Sequence, residues 1–222
     1  MILGALLLGL TPAVFFQEPE ETKLEAAERK VAELEAELGL WNLGVAEALG
    51  VVMMIHYRQA RYGKAEKVCR RILAIREKNF GLEHPDVAEY LSDLALLLSR
   101  QGSHSEARSL EERSLAIREK TLGLEHPLVA QSLNNLAMSL QNIGSYAEVR
   151  PLYARALAIW EKSLGPESPE VATALNNLAL FLQEIGSYAE ARPLYARALA
   201  IWEKALGPES PEVATALNNL AM

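Results

Sequence analysis

The stretch SYAEVRPLYARALAIWEKSLGPESPEVATALNNLAL, residues 145–180, is written again at residues 187–222 with three changes: Val149/Ala191, Ser163/Ala205 and Leu180/Met222. The offset is 42 residues. Two copies this alike must do the same structural job. A period of this size points to a stack of like units, each burying its apolar face on its neighbours. The period also extends backwards. Leu122-Gly123, Leu164-Gly165 and Leu206-Gly207 are in register, with Phe80-Gly81 one step earlier. A proline stands four residues after each glycine, at Pro85, Pro127, Pro169 and Pro211, and Leu-Ala-Ile recurs from Leu73, Leu115, Leu157 and Leu199. Four units are present, the first of them blurred.

Each unit reads as two helices. In residues 169–210, Ser168 suits an N-cap and Pro169 the first turn, where a missing N–H removes no bond. Val171, Leu175, Leu178, Ala179 and Leu182 then fall on one helical face. Gly186-Ser187 breaks the pattern. A second helix follows, burying Ala191, Leu194, Tyr195, Ala198, Leu199 and Trp202, and Leu206-Gly207-Pro208 ends it. Pro193 falls several residues inside that helix, so a backbone hydrogen bond is lost unless the helix begins near Arg192. The expectation is an all-α chain: helix pairs from about 43, 85, 127 and 169, and a fifth, truncated unit over 211–222.

Three segments precede or open the array. Residues 2–16 are apolar but broken by Gly4, Gly9 and Pro12. They are short for a bilayer span and suit a signal-peptide core, although no basic residue precedes them and no clear cleavage site follows. A signal or anchor, a disordered tail and a mis-assigned start all fit residues 1–17. Residues 18–42 carry a stripe of Leu24, Val31 and Leu38 with Ala27 and Leu34 between them. This is too short for a convincing coiled coil and reads as an amphipathic helix beside the first unit. The apolar run 43–57 contains Glu47 and stands where the period demands a helix, so it reads as buried rather than membrane-spanning.

Composition removes several functions. Half the residues are apolar and 23% are charged, enough to bury a core, and the net charge is −7 without a Lys/Arg cluster, which argues against nucleic acid. One cysteine, Cys69, excludes an internal disulfide framework and reads as a small buried hydrophobe. His84 and His126 precede Pro85 and Pro127, but Ser168 and Ser210 replace them in later units, so they read as caps rather than metal ligands. No phosphate loop, Ser/His/Asp set or paired-carboxylate pocket can be built by spacing. The expectation is no enzyme, no cofactor and no metal.

Two helices per unit with small residues at fixed points resemble the tetratricopeptide repeat. In residues 169–210 the matching positions are Leu178, Ala179, Leu182, Gly186, Tyr188, Ala191, Tyr195 and Ala198. The 42-residue period, with LNNLA and RALAIWEK, is similar to the kinesin light chain-like class, and the likeness covers roughly residues 43–222. It implies a right-handed α-solenoid that holds a peptide or protein partner along a concave groove lined by the first helices. The first unit departs most: Ala60 stands for Gly102, Gly144 and Gly186, and Cys69 for Tyr195, as in a worn terminal cap.

The resemblance puts groove residues at positions two, six, nine and thirteen of each first helix. These are Glu89, Asp93, Leu96 and Arg100; Gln131, Asn135, Met138 and Asn142; Thr173, Asn177, Leu180 and Glu184; and Thr215, Asn219 and Met222. An asparagine amide both donates and accepts, which matches a peptide bond. Met138 and Leu180 imply apolar ligand side chains. Asp93 at position six, with Arg100 as the one groove cation, weighs against a clamp for carboxylates or acidic peptides. The leading function is therefore a non-enzymatic interaction scaffold. Self-assembly through an uncapped C-terminal end that exposes Leu217 and Leu220, or a regulatory part of a longer protein, are the alternatives. Membrane association rests on residues 2–16 alone, and location stays open between cytoplasmic and, with residues 1–17 as a signal, exported or membrane-anchored.

Overall fold

The computed structural model describes residues 20–221, which form ten α-helices joined by short turns and no strand. The apolar segment 2–16 lies outside the described residues. The helices are α1 (Glu20–Leu38), α2 (Leu43–Arg58), α3 (Tyr62–Phe80), α4 (Pro85–Arg100), α5 (His104–Leu122), α6 (Pro127–Asn142), α7 (Tyr146–Leu164), α8 (Pro169–Glu184), α9 (Tyr188–Leu206) and α10 (Pro211–Ala221). Each packs chiefly on the helices before and after it in sequence, and first helices of adjacent pairs also touch, as α4 does α6. This is the near-neighbour geometry of a repeat stack. α1 covers the end of the array, burying Leu24 and Val31 in the cluster that contains Val45, Leu49 and Ile72. α2 buries Val45, Ala46, Leu49, Val52, Met53 and Ile55, so one face of the apolar run at 43–57 is core, and no helix among the described residues is long and apolar enough to cross a membrane.

Local chemistry sets the helix limits. Asn42, His84, His126 and Ser168 are N-caps whose side chains accept from the backbone N–H of Gly44, Asp86, Leu128 and Val171. The histidines are therefore capping groups, an acceptor role that their Nδ1 atoms share with the serine hydroxyl. First helices end in a repeated double hydrogen bond. Ser103 and Gly102 donate to Leu98 and Ser99 carbonyls, and Ser187 and Gly186 donate to those of Leu182 and Gln183. The glycines hold φ of 81° and 79°. That closure requires a left-handed residue. In the first pair the same bonds run from Arg61 and Ala60 to His56 and Tyr57, and Ala60 is held at φ 55° without being glycine.

α9 begins at Tyr188 rather than near Arg192, so Pro193 lies inside the helix, as Pro151 does in α7. The proline leaves the carbonyl four residues back without its N–H. Ala147 and Ala189 carry those carbonyls and both are exposed, so the lost donor lies on the solvent side of the helix. Starting four residues earlier retains the packing of Ala191 and the turn bonds at Ser187.

Along the second helices runs an inter-repeat ladder of ion pairs. Arg113 meets Glu77 at 2.8 Å, Arg155 meets Glu119 at 2.6 Å and Arg197 meets Glu161 at 2.6 Å, with Arg71 and Glu35 completing the series. Glu161 is thus engaged with the next repeat rather than simply solvated. Pairs this exposed contribute roughly 0–1 kcal/mol each, and their effect is on register between repeats.

Two stability predictions follow from this packing. Ala60→Gly removes a left-handed strain at an exposed site and should stabilise the chain by about 1 kcal/mol, read as a higher urea midpoint. Ala179 is fully buried where helices cross, so Ala179→Leu should destabilise by about 1–3 kcal/mol while Glu203→Ala, at an exposed site on α9, stays within about 0.5 kcal/mol. Equal midpoints for the last two variants would contradict the helix faces described above.

Candidate functional site

The first helices stand side by side, and their outward faces carry the residues that the repeat register assigns to a groove. Asp93, Leu96, Gln131, Asn135, Met138 and Asn142 come together, with Glu89, around one cavity of about 550 Å³ between α4 and α6. Arg100, the exposed last residue of α4, does not line it. Thr173, Asn177, Leu180 and Glu184 lie further along on α8, and Asn219 borders a separate hollow with Tyr188 and Tyr195. Position nine forms an exposed apolar row of Met54, Leu96, Met138 and Leu180, each 42 residues from the next.

The asparagines have partners within the array. Asn177 Nδ2 donates to Asn134 Oδ1 at 3.0 Å, and Asn219 Nδ2 repeats this on Asn176 Oδ1 at 3.0 Å. One amide N–H of each is therefore committed to joining first helices, while the carbonyl oxygen and the second N–H are not used by these bonds. Thr173 Oγ1 bonds back to the Pro169 carbonyl in its own helix, at 3.1 Å. Glu184 accepts from Gln141 and from Tyr146 Oη, and Asn142 Nδ2 reaches Ser99 Oγ at 3.5 Å. These groups bridge neighbouring units.

Behind the cavity lies a buried polar cluster that motif reading did not find. Glu111 and Arg118 of α5 are 2% and 4% exposed and both line the cavity. Arg118 corrects the expectation that Arg100 is the one groove cation, because this guanidinium reaches the groove from a second helix. The 42-residue register is the signal that would have revealed both. Glu111 occupies the place of Tyr153 and Tyr195, Ser114 that of Ala156 and Ala198, and Arg118 that of Trp160 and Trp202. Only in this unit does the register exchange three apolar core residues for polar ones.

Glu111 is held among hydroxyl groups. Ser114 Oγ donates to the Ala88 carbonyl at 2.7 Å, Ser92 and Ser114 hydroxyls lie 2.9 Å apart, and Ser92 Oγ lies 3.0 Å from Glu111 Oε2. Ser92 Oγ donates to Glu111 Oε2, and the two serine hydroxyls are hydrogen-bonded to each other. Burial pushes the Glu111 carboxyl up to about 7 against the opposing pull of Ser92, Arg118 and Asn135. Asp93, half-buried and beside Glu89, is raised to about 6, chiefly by desolvation, with Arg118 opposing. Desolvation in turn lowers the Arg118 pKa, while the three carboxylates resist that shift. Cys69 is sealed in the core, its thiol pushed up to about 12, so it is an inert packing group.

Arg118 differs from its predecessor one unit earlier. Arg76 Nη1 binds Asp86 at 2.7 Å and its guanidinium lies over the Tyr90 ring. Leu128 and Ser132 replace that aspartate and tyrosine in the register, so Arg118 Nη1 is left with the Leu128 carbonyl at 3.3 Å and Ser132 Oγ at 2.8 Å. No carboxylate among the described residues lies within ion-pair distance of it. No group of three or more metal-ligating side chains occurs among the described residues.

The raised carboxyls make stability depend on pH. Both folded-state values exceed those of an unfolded carboxyl, so their stabilising contribution is full below pH ~4 and is lost as pH rises through about 6 to 7. Thermal midpoints should therefore rise as pH falls from ~8 to ~5, with Glu111 supplying on the order of 3 kcal/mol. Glu111→Gln, which cannot titrate, should flatten most of that dependence. An unchanged pH profile would contradict the raised carboxyl.

The tetratricopeptide repeat profile matches residues 44–120, 128–180 and 170–222. No curated protein sequence matches the chain. Among solved structures, BtubC (BKLC) from P. vanneervenii is 26% identical with a TM-score of 0.77, over 91% of this chain and 82% of that one. A Podospora anserina kinesin light chain structure with nearly identical TPR-like repeats is 27% identical, with a TM-score of 0.70 over 84% and 89% of the two chains. The apo form of RapI shares the fold at 17% identity and a TM-score of 0.67, over 88% of this chain and 52% of that one. With helix pairs at a 42-residue period, small residues at the crossings and kinesin light chain-like structural neighbours, this chain belongs to the tetratricopeptide repeat family.

Proposed function

We propose that this chain is a non-enzymatic interaction scaffold that holds an extended peptide segment along the face of its first helices. One observation carries the reading: Met54, Leu96, Met138 and Leu180 are exposed at a constant 42-residue spacing, flanked by the polar row Asp93, Asn135, Asn177 and Asn219. A solvated helix face has no use for an apolar residue at the same place in every unit. A peptide laid across successive helices does, since alternate side chains can rest on the apolar row while its backbone meets the amides. The amides are already held in place, Asn177 by Asn134 and Asn219 by Asn176, so little side-chain freedom is lost on binding. The family is generally one of protein-interaction modules, and what this member binds is part of the proposal.

The test is a peptide selected from a random library on the full chain. Leu96→Ser with Met138→Ser should weaken that peptide by about tenfold or more, because both apolar contacts are lost. Asn135→Ala with Asn177→Ala should cost about 1–3 kcal/mol for each buried contact removed, with helicity retained. Glu203→Ala on α9 should leave affinity unchanged. Wild-type affinity in both double variants would remove the groove reading.

A further inference from the structure

We propose that the cavity between α4 and α6 receives a basic side chain of the bound peptide, with Asp93 and Glu89 taking its cation and Arg118 Nη2 a backbone carbonyl. This rests on the peptide-binding reading above and names the ligand chemistry at one point of that face.

The cavity, about 550 Å³, is larger than one side chain needs and is of the size that encloses a ligand group. Its lining is unlike the rest of the groove. Position six carries Asn135, Asn177 and Asn219 in the later units but Asp93 here, and position two carries Gln131, Thr173 and Thr215 but Glu89 here. Asp93 is half-buried yet makes no hydrogen bond or ion pair among the described residues. A carboxylate taken partly out of water and given no donor is unfavourable for the free protein, and a cation entering the cavity removes that penalty.

Arg118 is the second, independent observation. It is 4% exposed, its Nη1 is occupied by Leu128 and Ser132, and its Nη2 makes no hydrogen bond in the protein. The Arg118 side chain lines the cavity alongside Asp93 and Glu89. The cavity therefore offers carboxylate acceptors and one buried donor together. A basic peptide residue matches both: an ammonium or guanidinium for the acids and a carbonyl for Arg118. Leu96 and Met138 provide an apolar wall for the methylene stem.

The test pans a random peptide library on the full chain and then measures affinities of the strongest synthetic peptide. Enriched peptides should carry Lys or Arg. Replacing that residue by norleucine or citrulline, or making Asp93→Asn in the protein, should each weaken binding about tenfold or more. Combining the two changes should add little further loss, since both remove one contact. Asp93→Asn should also keep or raise the thermal midpoint of the free protein, whereas an acid with a merely structural role would lower it. Peptides without a basic residue, or undiminished binding by Asp93→Asn, would overturn this inference alone if Leu96→Ser with Met138→Ser still weakens binding. Enrichment of no peptide at all would overturn the groove reading and this inference with it.

Discussion

Close helix crossing at small side chains is the constraint on which the array depends. Ala88, Ala130 and Ala172 are completely buried at the starts of successive first helices, and Ala95, Ala137 and Ala179 are buried seven residues later. At each place a larger side chain would push two helices apart and open the layer of Leu91, Leu133 and Leu175 behind it. A helix pair in this chain has apolar residues on more than one face, so it cannot bury them alone. The alanines let the next pair come near enough to cover them. The clusters that result are continuous from Leu24 in α1 to Ile117 in α5, and resume through α6 to α10.

On that frame, polar groups do a different job. The arginine–glutamate pairs along the second helices join each unit to the next at the same register, and asparagine pairs do the same from α6 to α8 and from α8 to α10. They add little stability singly but disfavour slippage of one unit against another, because a shift separates every pair at once. The amides are thereby fixed on the face where the exposed apolar row lies. The peptide binding proposed for that face draws on groups that the fold has already oriented.

The α4–α6 region departs from this regularity. Glu111, Ser114 and Arg118 occupy positions that later units fill with tyrosine, alanine and tryptophan, and Ser92 and Ser132 complete the hydrogen bonds around them. Polar groups in a helix crossing are less favourable than apolar packing of the same volume. The protein keeps them where the groove has its cavity, and where Asp93 and Glu89 replace amide and hydroxyl residues. The local loss of apolar packing and the altered chemistry of the first-helix face coincide in space, and the proposed basic-residue site rests on that coincidence.

The sequence by itself determined the architecture. A 42-residue period, proline at the first-helix start of every unit after the first, glycine after each second helix and alanine at fixed points dictate helix pairs in series, because those rules act over a few residues and repeat. The same counting placed Asn135, Asn177 and Met138 on one helix face, and marked His84 and His126 as caps. It did not place Arg118 in the groove, since that residue lies on a second helix and arrives there through the crossing of α5 with α4 and α6. Nor did it show that Asn177 is tied to Asn134, that Glu161 pairs with Arg197, or that Pro193 sits inside its helix. Each of these joins residues from different turns or different units. Tertiary structure decided them because distance, burial and the partners a side chain meets are properties of packed neighbours, not of spacing along one helix.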